Sequence, residues 1–452
     1  MCATVSTETA QSVLARDARF VADAIKIRYF PFVLDHGEGG YLFDVDGRRY
    51  LDFGAGWALA GLGYSNERVR EAIKRQVDRS TFGGLLSGAN VPATDLAERL
   101  VSIVPGDFEK KVWFGLSGSD AAEAAARLIL KATGRRRFIS FVGSWHGTHD
   151  GTMALSAHPS LNEIVGGANV IKIPYPNPYR NPFGDDTPGN LTDRCLDYLE
   201  NYLFKQIYPS EDVAAVFAEA VQADGGDIVP PPDFIPKLRA LCDRHGILLV
   251  MDEIKIGMGR TGRMFGYEHG GVAADVVLLG KSLGGGMPLS AIVARKEILD
   301  VGSGIAVFTA SGNATSCAAG LAVIEEIEVQ RLVERSAENG VFLEQILDKA
   351  LGRHEIVGDI RNLGMIAGVE LVTDRASKEP NPSAAAKVVY RAWELGLIIY
   401  YAGMWGNALE ITPPLILSKS ELEQGVAILD QAIEDVLAGK VSDETVAQFA
   451  GW

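Results

Sequence analysis

Cysteine is scarce in this chain. Cys2, Cys195, Cys242 and Cys317 lie far apart with no metal-ligand spacing, so neither a disulfide framework nor a zinc module is encoded. Four isolated thiols of this kind are expected to stay free in a reducing cytosol. A basic excess is also missing: 43 Lys and Arg stand against 58 Asp and Glu, a formal net charge of -15. That balance argues against a nucleic-acid footprint and against an anionic membrane surface. No uninterrupted apolar run reaches membrane-spanning length, and the N-terminal stretch MCATVSTETAQSVLARDARF has no apolar signal region. The expected location is cytoplasmic. Internal repeats and low-complexity tracts are absent too. What remains is an ordinary globular composition, 47% hydrophobic and 22% charged over 452 residues, long enough for a large core and more than one domain.

From about Tyr64 to Ile327, strand-like and helix-like stretches alternate, the pattern of an α/β domain whose mainly parallel sheet is covered by helices on both faces. KKVWFGL precedes the helical SDAAEAAARLILKATG, and RRFISFVG, AAVFAEAV, LLVMD and VVLL read as further buried strands. Ahead of this region, GGYLFDVDGRRYLDFGAG alternates apolar and polar residues around an Asp-Gly turn, a hairpin signal. After Gln330 the pattern shifts to long amphipathic helices around GMIAGVELV and LGLIIYYAG. The expected division is a large domain over 64–330 and a smaller α+β domain built from 1–63 and 331–452. The Pro/Gly/Asn-rich YPNPYRNPFGDDTPGN reads as a surface excursion.

Two segments carry chemistry. LLVMDEIKIGMGRTG is a buried strand ending in an acid, Asp252, and VVLLGKSLGGGMPLSA is another that delivers Lys281 into a run of glycines. An amine that can condense with an aldehyde, and a carboxylate that keeps a pyridine nitrogen protonated, are the two groups a pyridoxal 5'-phosphate (PLP) site requires. A phosphate needs a helix N-terminus with small residues, and FGLSGSDAAEAAARL supplies Ser117, Gly118 and Ser119 between a strand and an Ala-rich helix. A plain N-cap is the competing reading, outweighed beside Lys281. In FVGSWHGTHDGT, Trp145 follows a strand and a tight turn, where it either stacks over the cofactor ring or fills the core. His146 follows it, and a lone histidine there is assigned no acid–base work.

Together SGSDAAEAA, the WHG step, DEIKIGMGRTG, GKSLGGGMPLSA and FTASGNATSCAAGLAV resemble, in register over almost the whole chain, the class III aminotransferase family of PLP fold type I enzymes. The resemblance implies a homodimer with active sites at the subunit interface, and a Thr309 that reaches the phosphate of the neighbouring subunit's cofactor. Departures from the family pattern concern the substrate. The arginines that clamp a carboxylate are replaced, one by Thr148 and one by Glu410, and an acid there would repel a carboxylate. Lys255 stands where relatives place a glutamine at the cofactor's phenolic oxygen, and Asp224, in VQADGG, is a carboxylate available as a second base. With the segment LGLIIYYAGMWGNALEITPPL and the tail AQFAGW, these features resemble most closely the branch of α-amino-ε-caprolactam racemase and amino-acid-amide racemases.

That branch implies racemisation of a small aminolactam or amino acid amide. Lys281 and Asp224 would exchange the Cα proton on opposite faces, while Asp252 keeps the ring protonated. A neutral carbonyl explains the missing arginines. Trp57 and Trp405 become pocket-wall candidates, with burial in a domain interface as the competing reading for each. Glu219 and Glu410 take the place of a Glu–Arg pair, implying two close acids, one of them protonated. A class III aminotransferase with an amine or ω-amino acid donor, and an isoleucine 2-epimerase-like racemase of free amino acids, are the alternatives.

Overall fold

The computed structural model describes residues 9–161, 169–184 and 190–449. Cys2, the start of the N-terminal stretch, 185–189 of the Pro-rich loop and the last three residues of the AQFAGW tail lie outside them. Three sheets organise the described residues. The first holds β1 (Leu34–Glu38), β2 (Tyr41–Asp44) and β3 (Arg49–Asp52). The Asp-Gly signal sits in the β2–β3 hairpin loop, where Asp44 Oδ1 accepts the N–H groups of Asp46 and Arg48 at 3.1 and 2.8 Å.

The central sheet has seven strands: β4 (Lys110–Gly115), β5 (Arg137–Phe141), β6 (Val170–Ile173), β7 (Val213–Ala218), β8 (Leu248–Asp252), β9 (Val276–Leu279) and β10 (Ser290–Arg295). Their order is β4-β10-β9-β8-β7-β5-β6, and only β10 runs against its neighbours. Every residue of β7 and β9 is buried, which is why they read as unbroken apolar runs rather than alternating ones: helices cover both faces.

The third sheet comprises β11 (Val357–Asn362), β12 (Ala367–Leu371), β14 (Tyr400–Ala402) and β15 (Ala408–Ile411). Between them in sequence, β13 (Leu397–Ile398) leaves to pair in parallel with β3, Leu397 opposite Leu51. The Pro-rich segment is less exposed than its composition suggests. Tyr175 is buried, its hydroxyl donating to the Glu219 carbonyl at 3.1 Å, and Arg180 pairs with Glu370. No helix among the described residues is long and apolar enough to cross a membrane.

The parallel strands all point their carboxyl ends the same way. Asp252 ends β8, Glu219 follows β7, Trp145 follows β5, Ser117 follows β4 and Lys281 follows β9. The carboxyl edge of an open α/β sheet is where such folds bind ligands.

Candidate active site

After β4, Ser117 caps the helix Gly118–Thr133. Its hydroxyl accepts the Asp120 N–H at 3.2 Å, while Asp120 Oδ2 accepts the N–H groups of Leu116 and Ser117. The Ser117 hydroxyl therefore accepts at the cap and keeps its own proton to donate. Gly118 and Ser119 face a cavity of about 160 Å³ at the sheet's carboxyl edge. A Cβ at Gly118 would lie 2.8 Å from Ile254 Cδ1, so glycine lets this helix start abut the turn after β8 without displacing the Ile254 side chain.

Asp252 lines the same cavity and is buried, with Oδ1 accepting the Ile254 N–H at 3.0 Å. Its Oδ2 lies 2.8 Å from Nδ1 of His146, which is also buried. His146, to which the sequence assigned no acid–base work, is thus the side-chain partner of Asp252. Its place directly after Trp145 was the only signal.

Lys281 opens the turn after β9 with φ 43°, a left-handed conformation that non-glycine residues rarely hold and that clusters at functional sites. It has no hydrogen-bond or ion-pair partner among the described residues. Burial, and then the ammonium of Lys255, lower its pKa from the ordinary lysine value, which favours a free amine.

Trp145 lines the cavity, and its N–H donates to Glu219 Oε1 at 3.1 Å, while Glu219 Oε2 accepts the Ala223 N–H at 3.0 Å. Glu219 thereby ties the Trp145 turn to the loop bearing Asp224. Burial, reinforced by the charge of Asp252, pushes its pKa up to about 8.

Asp224 shares the cavity. Burial opposes its ionisation, but neighbouring positive charge, led by the Lys255 ammonium, prevails and holds it below the usual carboxylate range. Lys255 Nζ lies 3.5 Å from Asp224 Oδ1 and hydrogen-bonds Glu410 Oε2. Burial works against the Lys255 charge, and Asp224, Glu410 and Asp227 together outweigh it and raise its pKa.

Of the two close acids expected, one of them protonated, the contacts do not pair Glu219 with Glu410, while the raised pKa of Glu219 favours its protonated form. Glu410 pairs with Lys255, and Glu219 is occupied by two backbone N–H groups.

Trp57 borders Lys255, whose Nζ is 5.6 Å from its ring, and stacks on Tyr400 at 4.7 Å and 15°. Its loop is contorted: Ala55, Gly56, Trp57 and Ala58 all have positive φ. Asp52 holds it there by accepting the N–H groups of Gly54 and Ala55 at 2.8 and 3.0 Å. Trp405 is elsewhere. It is 51% exposed, packs under the Arg180 guanidinium at 4.7 Å, and lines a separate cleft with Gln222 and Met404. Thr148 is exposed, and its N–H donates to Ser119 Oγ. Thr309 is exposed and lies outside the Lys281 cavity of its own chain.

The sequence model of class III aminotransferases matches residues 24–433. The chain belongs to the class III aminotransferase family. It is 39% identical over 444 residues to an alanine/serine racemase of Pyrococcus horikoshii, covering 97% of this chain and 93% of the relative. With a leucine/methionine racemase of Thermococcus litoralis the identity is 38% over 445 residues, covering 98% and 99%. Among solved structures, the omega transaminase of Pseudomonas jessenii in complex with PMP superposes with a TM-score of 0.85 at 30% identity, covering 90% of this chain and 93% of that one. The fold is therefore PLP fold type I, and the cofactor is PLP. The cavity's own chemistry fits that group: a helix start with glycine and serine facing the cavity, an unpartnered amine and a buried, hydrogen-bonded acid.

Proposed function

We propose that this protein is a PLP-dependent racemase of α-amino-ε-caprolactam or α-amino acid amides. The observation that carries this reading is Asp224 sharing one cavity with Lys281, ionised through Lys255 and available as a second base.

When bound, PLP withdraws the electron pair left at Cα of the substrate. The start of the Gly118 helix would hold its phosphate, Trp145 would stack on its ring, and Asp252, backed by His146, would keep its nitrogen protonated. Lys281, its amine made available by burial and the Lys255 charge, takes or gives the Cα proton on one face. Asp224 does so on the other, directly or through water. Glu219 fixes the spacing between the Trp145 turn and the Asp224 loop.

A neutral carbonyl suits this environment. Lys255 is paired with two carboxylates, so it offers no free charge to a substrate carboxylate, and Glu410 would repel one. The substrate side would be bounded by Trp57 and Tyr400. The active assembly is a homodimer in this reading, supported by exposed Phe82, Leu86 and Val307 around the segment that carries Thr309. A second reading, racemisation of free amino acids, is favoured by the names of the two racemase relatives. It requires Lys255 to exchange a carboxylate partner for that of the substrate.

The test is incubation of the PLP-loaded enzyme with one enantiomer of α-amino-ε-caprolactam in deuterated water, without keto acid. Racemic product carrying deuterium at Cα is expected. Unchanged chirality with conversion of the cofactor to its amine form would instead make the protein an aminotransferase. Turnover of free alanine or leucine with none of the lactam would select the second reading. Lys281→Ala should lose both the visible cofactor band and turnover. Asp224→Asn should keep the band and racemise more slowly, by roughly 10²–10⁴-fold.

A further inference from the structure

Lys172 lies on β6, outside the cavity and opposite Ser140 of β5. Its Nζ donates to Ser140 Oγ at 2.8 Å and to the carbonyls of Ala154, Leu155 and Ser156 at 2.6, 2.7 and 2.8 Å. Those carbonyls are the last of the helix Asp150–Leu155 and its C-cap. An ordinary helix end leaves such groups to water. Here one side-chain cation gathers all three.

Leu155 and Ser156, with Ala157 after them, also hold the turn over the cofactor cavity. Ser156 Oγ donates to the Gly147 carbonyl at 3.0 Å and accepts the His146 N–H at 2.8 Å. On the other side of Trp145, Ser144 Oγ donates to the Leu155 carbonyl at 3.3 Å, and the Ala157 N–H donates to the Ser144 carbonyl at 2.9 Å. Trp145 is thus clamped at both neighbours to 155–157, which Lys172 in turn fastens to the central sheet. Through His146, the chain of bonds ends on Asp252.

We propose that Lys172 is a positioning residue that works as a built-in monovalent cation, fixing the end of the Asp150–Leu155 helix and thereby the turn that sets Trp145 and His146 against the cofactor. Burial pulls its pKa down to about 7, while the three carbonyl dipoles favour the charged form. A neutral amine in this cage would donate only two hydrogens to four acceptors. The inference rests on the PLP site alone and not on the racemase reading, so either can fail without the other.

The test uses the full-length holoenzyme and reads cofactor behaviour rather than turnover. Lys172→Met keeps the bulk and removes the charge. It should release PLP on dilution roughly tenfold faster, as expected when one charge-assisted clamp is lost, and alter the visible circular dichroism of the bound cofactor. Ser156→Ala, which leaves the cage but cuts the link to His146 and Gly147, should reproduce both changes. In Lys172→Ala, which opens the cage, potassium chloride should slow PLP release relative to choline chloride at equal ionic strength, because potassium has the charge and nearly the size of an ammonium group. Native release and native circular dichroism in Lys172→Met would overturn the proposal, as would a native Ser156→Ala. If the methionine variant does not fold, equal PLP release by Lys172→Ala in the two salts overturns it.

Discussion

Replacing Lys255 by methionine tests the electrostatic core of the site. At 3.5 Å from Asp224 Oδ1, its charge is worth about 5 kcal/mol to the Asp224 carboxylate at an effective dielectric constant of about 20. Glu410 loses its hydrogen-bonded partner in the same step, so the fold should weaken by roughly 3–5 kcal/mol, the usual cost of stranding buried charge.

The sign of the pH effect follows from the direction of the shift. In the parent, Asp224 is held below the usual range, so its ionisation contributes stability above the unfolded pKa and loses it as pH falls through the folded one. Without Lys255, burial dominates and the sign reverses: ionised Asp224 becomes a cost above the unfolded pKa. The acidic limb of Cα deuterium exchange should therefore move to higher pH by more than one unit, and Lys255→Arg should restore most of it. Deuterium exchange by mass spectrometry across pH 4–9, with urea unfolding of the same variants, measures both effects. A methionine variant with the parental acidic limb and parental unfolding free energy would refute the assignment of Lys255 as the group that ionises Asp224.

Glu219, at about 8 in the fold against 4.5 as a free side chain, resists ionisation where the unfolded chain has already ionised. Its contribution therefore erodes stability as pH rises from about 4.5 to 8, by about 5 kcal/mol at most, and Glu219→Gln should flatten that slope in urea titrations at pH 5.5 and 8. His146→Ala removes the Nδ1 contact to Asp252 and should cost about 1–3 kcal/mol of PLP affinity, read by titrating apoenzyme and following the visible band against pH. Gly118→Ala would place a methyl 2.8 Å from Ile254 Cδ1, a contact this side chain of the cavity wall relieves by shifting, so PLP affinity should fall while the unfolding midpoint of the apo-protein changes little.

The site was legible in sequence where chemistry coincides with a strand end. Asp252, Lys281 and Trp145 each follow a buried apolar run, and the structure brings them to one cavity beside Gly118, Ser119, Glu219 and Asp224. Ser117 shows the limit of such reading, since one hydroxyl can accept the Asp120 N–H at the cap and still donate its own proton, so capping and phosphate contact look alike in sequence.

Lys255 and Glu410 are 155 residues apart, and no local pattern announces that they pair. Lys172 was invisible for a related reason: a lysine on an apolar edge strand reads as surface until the helix end that meets it is known. Trp405, a pocket-wall candidate in sequence, lines a cleft apart from the Lys281 cavity, because a place in the β14–β15 turn says nothing about which side of the turn faces that cavity.

The parallel pairing of β3 with β13 has a consequence for how the protein is made. Emerging from the ribosome, the β1–β3 segment has only its own hairpins to pair with until the chain has been extended past Ile398, a wait on the order of tens of seconds at ordinary synthesis rates. Trp57, just after β3, likewise meets Tyr400 only then. The Trp57–Tyr400 wall is therefore among the last parts of the molecule to be assembled, and nascent chains released early would carry the lysine and the acid without it.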